Sequence, residues 1–130
     1  MKKFAAAIVI LLCISACSST VQRIMPSDRM VSVDGRTHVR GEEAPYTGLI
    51  TFDHNIGSDR DEVNYVNGVR EGTSTTWDRM GTKMREENYV DGRLEGISTS
   101  WHGNGQKTET NYVNGSLVGR TELDADGNRL

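Results

Sequence analysis

The chain has 130 residues, of which 35% are hydrophobic and 25% charged, and these proportions fit one small globular domain rather than a disordered chain. Its formal net charge is −3, and no cluster of Lys and Arg with interleaved aromatic residues occurs, so we expect no nucleic-acid partner. The hydrophobic residues are unevenly spread, because their long continuous run lies near the start of the chain.

The start of the chain has the pattern of an exported protein. Lys2 and Lys3 are followed by an apolar stretch at 4–12 and by small residues before Cys17. The apolar stretch is shorter than the about 20 residues that a transmembrane helix needs. We therefore predict that residues 1–16 are a signal peptide that is removed, and that no membrane span is retained.

The residues Ile14, Ser15, Ala16 and Cys17 resemble the lipobox of bacterial lipoproteins. This resemblance implies that the Cys17 thiol receives a diacylglycerol and that the new amino group is acylated after cleavage. Two or more acyl chains give durable anchoring. Ser18 resembles the outer-membrane sorting signal of Gram-negative lipoproteins, so we expect an envelope protein anchored in the outer membrane and facing the periplasm. The alternative is an ordinary secretory signal that contains a cysteine.

No disulfide is expected in the mature chain, because Cys13 leaves with the signal peptide and Cys17 is the only other cysteine. A small exported domain without disulfides must gain stability from sheet pairing, oligomerisation or a partner. Residues 17–32 are polar, contain Pro26 and show no periodicity, so we predict a flexible tether. Loss of the two lysines of the signal peptide takes the formal net charge from −3 to −5.

The remaining residues, 33–130, contain a sequence repeat. The segment Asn-Tyr-Val-Asn-Gly at 64–68 recurs with Asp for the second Asn at 88–92 and unchanged at 111–115, at offsets of 24 and 23 residues. Four residues between these segments recur 24 positions later, namely Gly72, Trp77, Gly81 and Lys83 as Gly96, Trp101, Gly105 and Lys107. Self-similarity at such a period indicates a repeat architecture.

Each repeat has the pattern of a β-hairpin. Asn-Gly at 67–68 and 114–115 and Asp-Gly at 91–92 favour type I′ turns, in which both central residues need positive φ. Segments 78–81 and 102–105 end in glycine and favour a second turn. The stretches between turns have strand length and are rich in Thr, Val, Tyr and Trp. We therefore predict an all-β fold, an elongated antiparallel meander of repeated hairpins.

One aromatic residue occurs per predicted strand, at spacings of 12, 12, 12 and 11, namely Tyr65, Trp77, Tyr89, Trp101 and Tyr112. Since neighbouring strands lie about 4.8 Å apart, we expect these rings to form a cross-strand ladder that packs as core. The alternative is a surface that stacks on carbohydrate or binds a partner. Period-two alternation places Ile97 and Trp101 on the more apolar face and Ser98 on the polar face.

The unit Tyr-x-Asn/Asp-Gly-x-x-x-Gly-x-x-x-x-Trp-x-x-x-Gly-x-Lys, at 65–83 and 89–107, resembles the MORN-like repeats of bacteria. The variant is the one found in proteins labelled YwqK-family antitoxins, and the resemblance covers roughly residues 34–130. It implies an elongated sheet of consecutive hairpins and a role in protein or membrane association. It carries over no active residue.

The chain lacks the residue patterns of common catalytic and metal sites. His38, His54 and His102 form no metal-ligand pair and are expected to be exposed polar residues. Residues 124–128 resemble the start of a calcium loop, but the Glu that such a loop needs at its twelfth position is missing, so we predict a turn. We expect no catalytic residue, no metal and no cofactor.

These observations predict a membrane-anchored envelope lipoprotein that acts as a non-catalytic binding or scaffold module. Its membrane contact is the lipid anchor, and its other partner is a protein or a second copy of the chain. The alternative is an antitoxin or immunity-type inhibitor of a partner protein, which the family label suggests. A third class, an envelope enzyme, is disfavoured because no catalytic constellation occurs in the sequence.

Overall fold

The computed structural model describes residues 22–24, 27–53 and 59–130, and the predicted signal peptide and Cys17 lie outside these ranges. Within them the chain forms one short 3₁₀ turn, Ser27–Arg29, and eleven strands. The strands are β1 (Gln22–Ile24), β2 (Met30–Val33), β3 (Arg36–Val39), β4 (Gly48–Asp53), β5 (Arg60–Val66), β6 (Val69–Trp77), β7 (Lys83–Val90), β8 (Arg93–Leu94), β9 (Gly96–Trp101), β10 (Lys107–Val113) and β11 (Ser116–Leu123).

The main sheet has the strand order β1-β4-β5-β6-β7-β9-β10-β11, and β8 pairs with β7 beside β9. Every pairing from β4 onwards is antiparallel and joins strands that are close in sequence. Strands β2 and β3 form a separate hairpin. The predicted all-β meander of antiparallel hairpins is therefore confirmed, with one addition: β1 pairs with β4 in parallel.

The hairpins are joined by tight turns in which both central residues have positive φ. The three predicted turns have this conformation, with φ of 52° and 76° at Asn67 and Gly68, 49° and 78° at Asp91 and Gly92, and 50° and 81° at Asn114 and Gly115. A fourth turn joins β2 to β3, where φ is 50° at Asp34 and 75° at Gly35. These values fit type I′ geometry, which Asn, Asp and Gly adopt at the lowest cost.

The opposite ends of the hairpins carry a second kind of turn. In the segment 78–82 the N–H of Asp78 donates to the carbonyl of Thr82, and the N–H of Gly81 donates back to Asp78. The same pair of bonds occurs in 102–106 and in 124–128. The prediction of a turn at 124–128 is confirmed, because Asp124 uses its carboxylate to accept backbone N–H groups of the turn.

The main sheet has two different faces. We call the side that carries Ile50, Val63 and Tyr65 the covered face, since these side chains are buried together with Val39 and Tyr46, which come from outside the main sheet. The opposite side carries Trp77 and Trp101, and we call it the tryptophan face. Cross-strand partners share a face and successive residues alternate, so the pairing assigns each side chain to one of the two.

The N-terminal boundary of the domain differs from the prediction. The predicted flexible tether, 17–32, includes β1 and most of β2. Gln22–Ile24 pairs with residues 49–51 of β4, and Met30 pairs with Val39 and packs against the core. The domain begins before residue 33 because these residues cover one sheet edge and extend the core.

His38 is also placed differently from the prediction. Its side chain is buried, with 8% of the residue exposed, in the β2–β3 hairpin, where it pairs with Val31 and bridges to Pro45. His102 is exposed, as predicted, while His54 lies outside the described residues. Period-two alternation on a short hairpin gave no sign that His38 would be buried.

The core is confined to the N-terminal half of the described residues. The buried hydrophobic side chains are Val39, Tyr46, Ile50, Val63 and Tyr65, and none of the described residues that follow Tyr65 adds another. Within the part of the chain that the structure describes, strands β7 to β11 therefore form a single layer. A single layer without an apolar core offers both of its faces to other molecules.

Candidate interaction surfaces

The covered face changes from apolar to polar along the sheet. One row of cross-strand partners begins with Ile50 and Val63 and continues through Ser74 to Glu87. Further along, β9, β10 and β11 contribute Ser98, Thr110 and Arg120 to the same face. The apolar half is buried by Val39 and Tyr46, whereas the polar half has no such cover among the described residues.

Four hydroxyl side chains form the floor of this open half, and we call them the hydroxyl patch: Ser98, Ser100, Thr108 and Thr110. They are two cross-strand pairs, Ser98 with Thr110 and Ser100 with Thr108. The patch lies in a shallow depression whose other lining residues include Arg85, Glu87, His102, Tyr112 and Arg120. Ser98 and Thr108 are buried, whereas Ser100 and Thr110 are partly exposed, so the Ser100 and Thr110 hydroxyls are the ones that can reach another molecule. A hydroxyl both donates and accepts hydrogen bonds, so these two can bind a polar, uncharged group in several orientations.

The charges around the hydroxyl patch are paired. Arg85 contacts Glu87 at 3.7 Å and Arg120 contacts Glu122 at 2.9 Å, while Nε2 of His102 lies 2.9 Å from Oγ1 of Thr108. Both arginine side chains are more than half exposed, so these ion pairs add little stability. Because each arginine has an acidic neighbour, the depression is not a strong anion site.

The tryptophan face carries alternating cations and rings. Arg60 and Lys83 pair with Trp77 from its two neighbouring strands, and Lys107 pairs with Trp101. The guanidinium of Arg60 and the ammonium of Lys83 each lie 5.5 Å from the Trp77 ring centroid. Lys83 is also 5.6 Å from the centroid of Trp101, so one ammonium group sits between two indoles. These distances are within the range of cation–π attraction.

This arrangement leaves little ring surface for a carbohydrate. Arg60 comes from β5 and Lys83 from β7, on opposite sides of β6, and each cation lies over the Trp77 indole at 5.5 Å. Stacking on a sugar requires an open ring face. The Trp77 indole therefore acts as part of the sheet surface, and the geometry argues against the carbohydrate-stacking alternative at this residue.

A second row on the tryptophan face alternates Thr and Glu across seven strands: Thr51, Glu62, Thr75, Glu86, Thr99, Glu109 and Thr121. Each Glu contacts the basic residue of the neighbouring row. The pairs are Glu62 with Arg60, Glu86 with Lys83 and Glu109 with Lys107. Arg60 and Lys83 are thus placed between a carboxylate and an indole, which restricts them more than either contact alone.

The five predicted aromatic residues do not form one ladder. Tyr65 is a core residue, as predicted, and its ring meets that of Tyr46 edge-on at 6.4 Å. Tyr89 and Tyr112 lie half-buried on the covered face, whereas both tryptophans lie on the opposite face. The prediction of a continuous cross-strand ladder is wrong. Even spacing along the chain does not conserve the face. The two-residue turn at 67–68 pairs odd-numbered with even-numbered residues, so Tyr65 and Trp77 lie on opposite faces. One residue of β7 is skipped between Lys83 and Arg85, which has the same effect for Trp77 and Tyr89.

Tyr89 is held by two charged neighbours. Its hydroxyl donates to Oε2 of Glu87 at 3.0 Å and accepts from Nη1 of Arg70 at 3.2 Å. The Arg70 guanidinium also lies 5.3 Å from the ring centroid. Burial, followed by the Glu87 carboxylate, raises the pKa of the Tyr89 phenol. The phenol is therefore a fixed hydrogen-bonding group beside the hydroxyl patch.

On β9, the face expected to be buried is the more exposed one, and the face expected to be exposed is buried. Ile97, predicted to lie on the apolar side, is 54% exposed, and Ser98, predicted on the polar side, is 8% exposed. Ser98 lies among its cross-strand neighbours on the covered face, and Ile97 lies on the tryptophan face near a hairpin end. The alternation itself is correct, but burial depends on the neighbouring strands rather than on the polarity of each residue.

Each later type I′ turn docks on the hairpin before it. In every case the N–H of the turn glycine donates to a backbone carbonyl: Gly68 to Tyr46 at 2.7 Å, Gly92 to Arg70 at 3.0 Å and Gly115 to Leu94 at 2.9 Å. A side chain accepts the N–H of the first turn residue: Thr47 from Asn67 at 2.8 Å, Glu71 from Asp91 at 2.8 Å and Glu95 from Asn114 at 2.7 Å. The sequence signal for this docking is the Glu-Gly pair at 71–72, which recurs at 95–96 and was not used in the prediction.

The turns stack so closely that glycine is required for space as well as for φ. A Cβ on Gly68 would lie 2.8 Å from Cβ of Arg36, and one on Gly92 would lie 3.1 Å from Cγ1 of Val69. Each turn glycine therefore rests against the residue that follows the preceding turn. The four turns, at 34–35, 67–68, 91–92 and 114–115, form one series that we call the turn column.

Within residues 22–24, 27–53 and 59–130, no group of three or more His, Cys, Asp and Glu side chains is placed to hold a metal ion. Over the same residues, no helix has the length and apolar character needed to span a membrane.

Comparison with known proteins finds no family model that matches the chain and no similar curated protein. The likeness to MORN-like repeats rests on the motif alone and stays a prediction.

Proposed function

We propose that this chain is a bacterial envelope lipoprotein, anchored through Cys17, whose open half-sheet of β7 to β11 binds a partner without catalysing a reaction. The observation that carries the proposal is the single layer formed by these strands, in which no described hydrophobic side chain is buried. Catalytic and small-molecule sites are usually enclosed, mostly apolar pockets. The depressions on this layer are shallow and polar, which suits an extended surface contact.

The hydroxyl patch is the part of this half-sheet that we assign to binding. It is flat, hydrogen-bonding and close to electrical neutrality, and it is rimmed by Tyr112 and His102. Such a surface favours a partner that presents uncharged polar groups, since a strongly charged partner would meet paired ions of both signs. The hydroxyl patch lies on the same face of the main sheet as the core, whose side chains are buried by Val39 and Tyr46 of the same chain.

Site-specific photo-crosslinking tests this assignment. A photoreactive residue at Ser100 or Thr110 lies on the covered face, and one at Thr99 or Glu109 lies on the same two strands but faces the other way. We expect discrete envelope adducts from Ser100 and Thr110 in living cells and none from the two controls. Equal adducts from all four positions, or none from Ser100 and Thr110, would refute binding through the hydroxyl patch. A single adduct with a toxic protein would favour the inhibitor alternative.

The lipid anchor is tested separately. Cys17→Ser removes the thiol that would be lipidated, so we expect loss of palmitate labelling and an unprocessed or soluble product on fractionation. Cys13→Ser is the matched control, because Cys13 lies within the predicted signal peptide. Labelling and membrane association that do not depend on Cys17 would remove the lipoprotein assignment.

A further inference from the structure

The turn column has an unoccupied position at its C-terminal end. Three tripeptides, at 46–48, 70–72 and 94–96, each accept two hydrogen bonds from the type I′ turn of the following hairpin. We call such a tripeptide a receiving site. The fourth copy of this tripeptide is Leu117-Val118-Gly119, in β11. No later hairpin follows it within the described residues. Its Leu117 and Val118 are 61% and 57% exposed.

At the other end of the column, the turn Asp34-Gly35 docks on no described residue. Asp34 and Gly35 adopt the same positive φ values as the docked turns. An added Cβ on Gly35 would meet nothing within 4 Å, whereas one on each docked glycine would contact the preceding hairpin, at 2.8 Å for Gly68, 3.1 Å for Gly92 and 3.7 Å for Gly115. No described backbone group accepts the Gly35 N–H outside its own hairpin. Among the described residues, the turn at Asp34-Gly35 therefore has no receiving tripeptide, and Leu117-Val118-Gly119 receives no turn.

We infer that the turn Asp34-Gly35 of one copy docks on Leu117-Val118-Gly119 of a second copy, so that chains associate head to tail. In this arrangement the N–H of Gly35 donates to the Leu117 carbonyl, as Gly115 donates to Leu94 within the chain. Strand β2 adds to the edge of β11. The inference rests on the repeat geometry and not on the lipid anchor or the hydroxyl patch.

The two strand edges that would meet, that of β2 and that of β11 at 117–119, pair with no other described strand on that side. Strand β2 pairs only with β3 among the described strands. The C-terminal residues fold back on the far end of β11, at 121–123. Leu123 bridges to Arg129, Leu130 donates to the Glu122 carbonyl, and Arg129 donates to the Thr121 hydroxyl. An open edge strand readily accepts another strand.

Gly119 supports docking because the isolated chain does not require glycine there. Its counterparts Gly72 and Gly96 have φ of 76° and 78° beside a docked turn, while Gly119 is not in the positive-φ region. An added Cβ on Gly119 would meet only Asn111, at an ordinary 3.9 Å. A docked turn would draw Gly119 into the conformation of its counterparts, which other residues adopt at a cost.

Val118 occupies the position at which the other three tripeptides carry a side-chain acceptor, Thr47, Glu71 or Glu95. Glu71 and Glu95 accept the N–H of the incoming turn, and Val118 cannot. The substitution Val118→Glu restores an acceptor for the N–H of Asp34. A hydrogen bond of this kind corresponds to about a threefold to tenfold change in affinity. The natural contact is therefore weaker than the internal ones and suits reversible association.

The test uses the full chain in detergent, as an equal mixture of unlabelled and ¹⁵N-labelled protein. A photoreactive residue at Leu117 should form adducts between copies, mapped by mass spectrometry to residues 32–36. Sedimentation should show concentration-dependent association that Val118→Glu tightens about threefold to tenfold. Gly119→Ala should weaken it at least threefold while leaving the urea midpoint unchanged, and Gly103→Ala, at an open glycine outside the column, is the control.

Three results would overturn the inference. They are a monomer at every concentration, adducts that join Leu117 to Leu117, and adducts with a protein other than this chain. A urea midpoint that falls with Gly119→Ala would also overturn it, because glycine would then be required within the chain. None of these outcomes bears on envelope binding through the hydroxyl patch, so the two proposals fail separately.

Discussion

Oε2 of Glu71 accepts a 2.8 Å hydrogen bond from the backbone N–H of Asp91, twenty residues later in the chain. Glu95 makes the same contact with Asn114 at 2.7 Å. Each carboxylate holds the turn of the next hairpin, so Glu71→Ala should lower the free energy of unfolding by about 1 kcal/mol. Urea denaturation measures this change. Glu71→Gln keeps an acceptor and should recover most of the loss.

The control for this prediction is Glu109→Ala. Glu109 lies in the same sheet but makes a 3.5 Å exposed ion pair with Lys107. Its removal should change stability by less than about 0.5 kcal/mol. Equal losses for Glu71→Ala and Glu109→Ala would mean that the carboxylate does not hold the turn.

Substitution of Gly68 and of Gly72 by alanine separates two costs of an added Cβ, the steric clash with neighbouring atoms and the strain of a positive φ. Both have φ of 76°, but an added Cβ would lie 2.9 Å from the backbone nitrogen and oxygen of Thr37 at Gly68 and would meet nothing within 4 Å at Gly72. Gly72→Ala should cost about 1–2 kcal/mol for the left-handed conformation. Gly68→Ala should cost clearly more, because the Thr37 backbone must move. Similar thermal midpoints for the two variants would contradict the close stacking of the turn column.

The turn chemistry could be predicted from the sequence because it is local. Asn-Gly and Asp-Gly specify positive φ by themselves, and the strands between them follow from composition. The fourth turn, at Asp34, carries the same dipeptide and was missed because its hairpin lies outside the clear repeats. Strand β1 could not be predicted, since its partner is a parallel strand 27 residues away in register, Gln22 opposite Leu49.

The relative faces of Trp77 and Tyr89 could not be predicted because they depend on a bulge. Thr76 pairs with Arg85 and Trp77 with Lys83, so one residue of β7 is skipped and the alternation reverses. The shift beside Tyr65 skips two residues and leaves the alternation unchanged. The sequence contains the rings and their spacing, but the bulges follow from how neighbouring strands pair. The hydroxyl patch was missed for the same reason.

Lys83 should stabilise the sheet more than Lys107 does. Lys83 forms an ion pair with Glu86, and Lys107 forms one with Glu109. Only Lys83 also lies over two indoles, at 5.5 and 5.6 Å from their centroids. Lys83→Gln should lower the free energy of unfolding by about 1–2 kcal/mol and shift the tryptophan emission. Lys107→Gln is the matched control and should cost less than half as much, and Lys83→Arg should retain most of the stability. An equal loss for both Gln variants would show that the ion pairs, not the rings, hold these cations.

Asp124 should make the C-terminal turn dependent on pH. Its carboxylate accepts the N–H of Asn128 at 2.8 Å and of Asp126 at 3.0 Å, and these bonds, with that of the Asn128 side chain, lower the pKa of Asp124 below the usual range for an aspartate. A lowered folded-state pKa contributes stability that is present above the carboxyl pKa of the unfolded chain and is lost as pH falls through the folded value. In an NMR titration the amide signals of Asp126 and Asn128 should therefore move with one acidic midpoint below that of a free aspartate. Asp124→Asn keeps an acceptor oxygen but has no charge to titrate, so the midpoint should disappear while the turn persists. A midpoint at the ordinary aspartate value, or one that survives in Asp124→Asn, would show that these bonds do not hold the carboxylate.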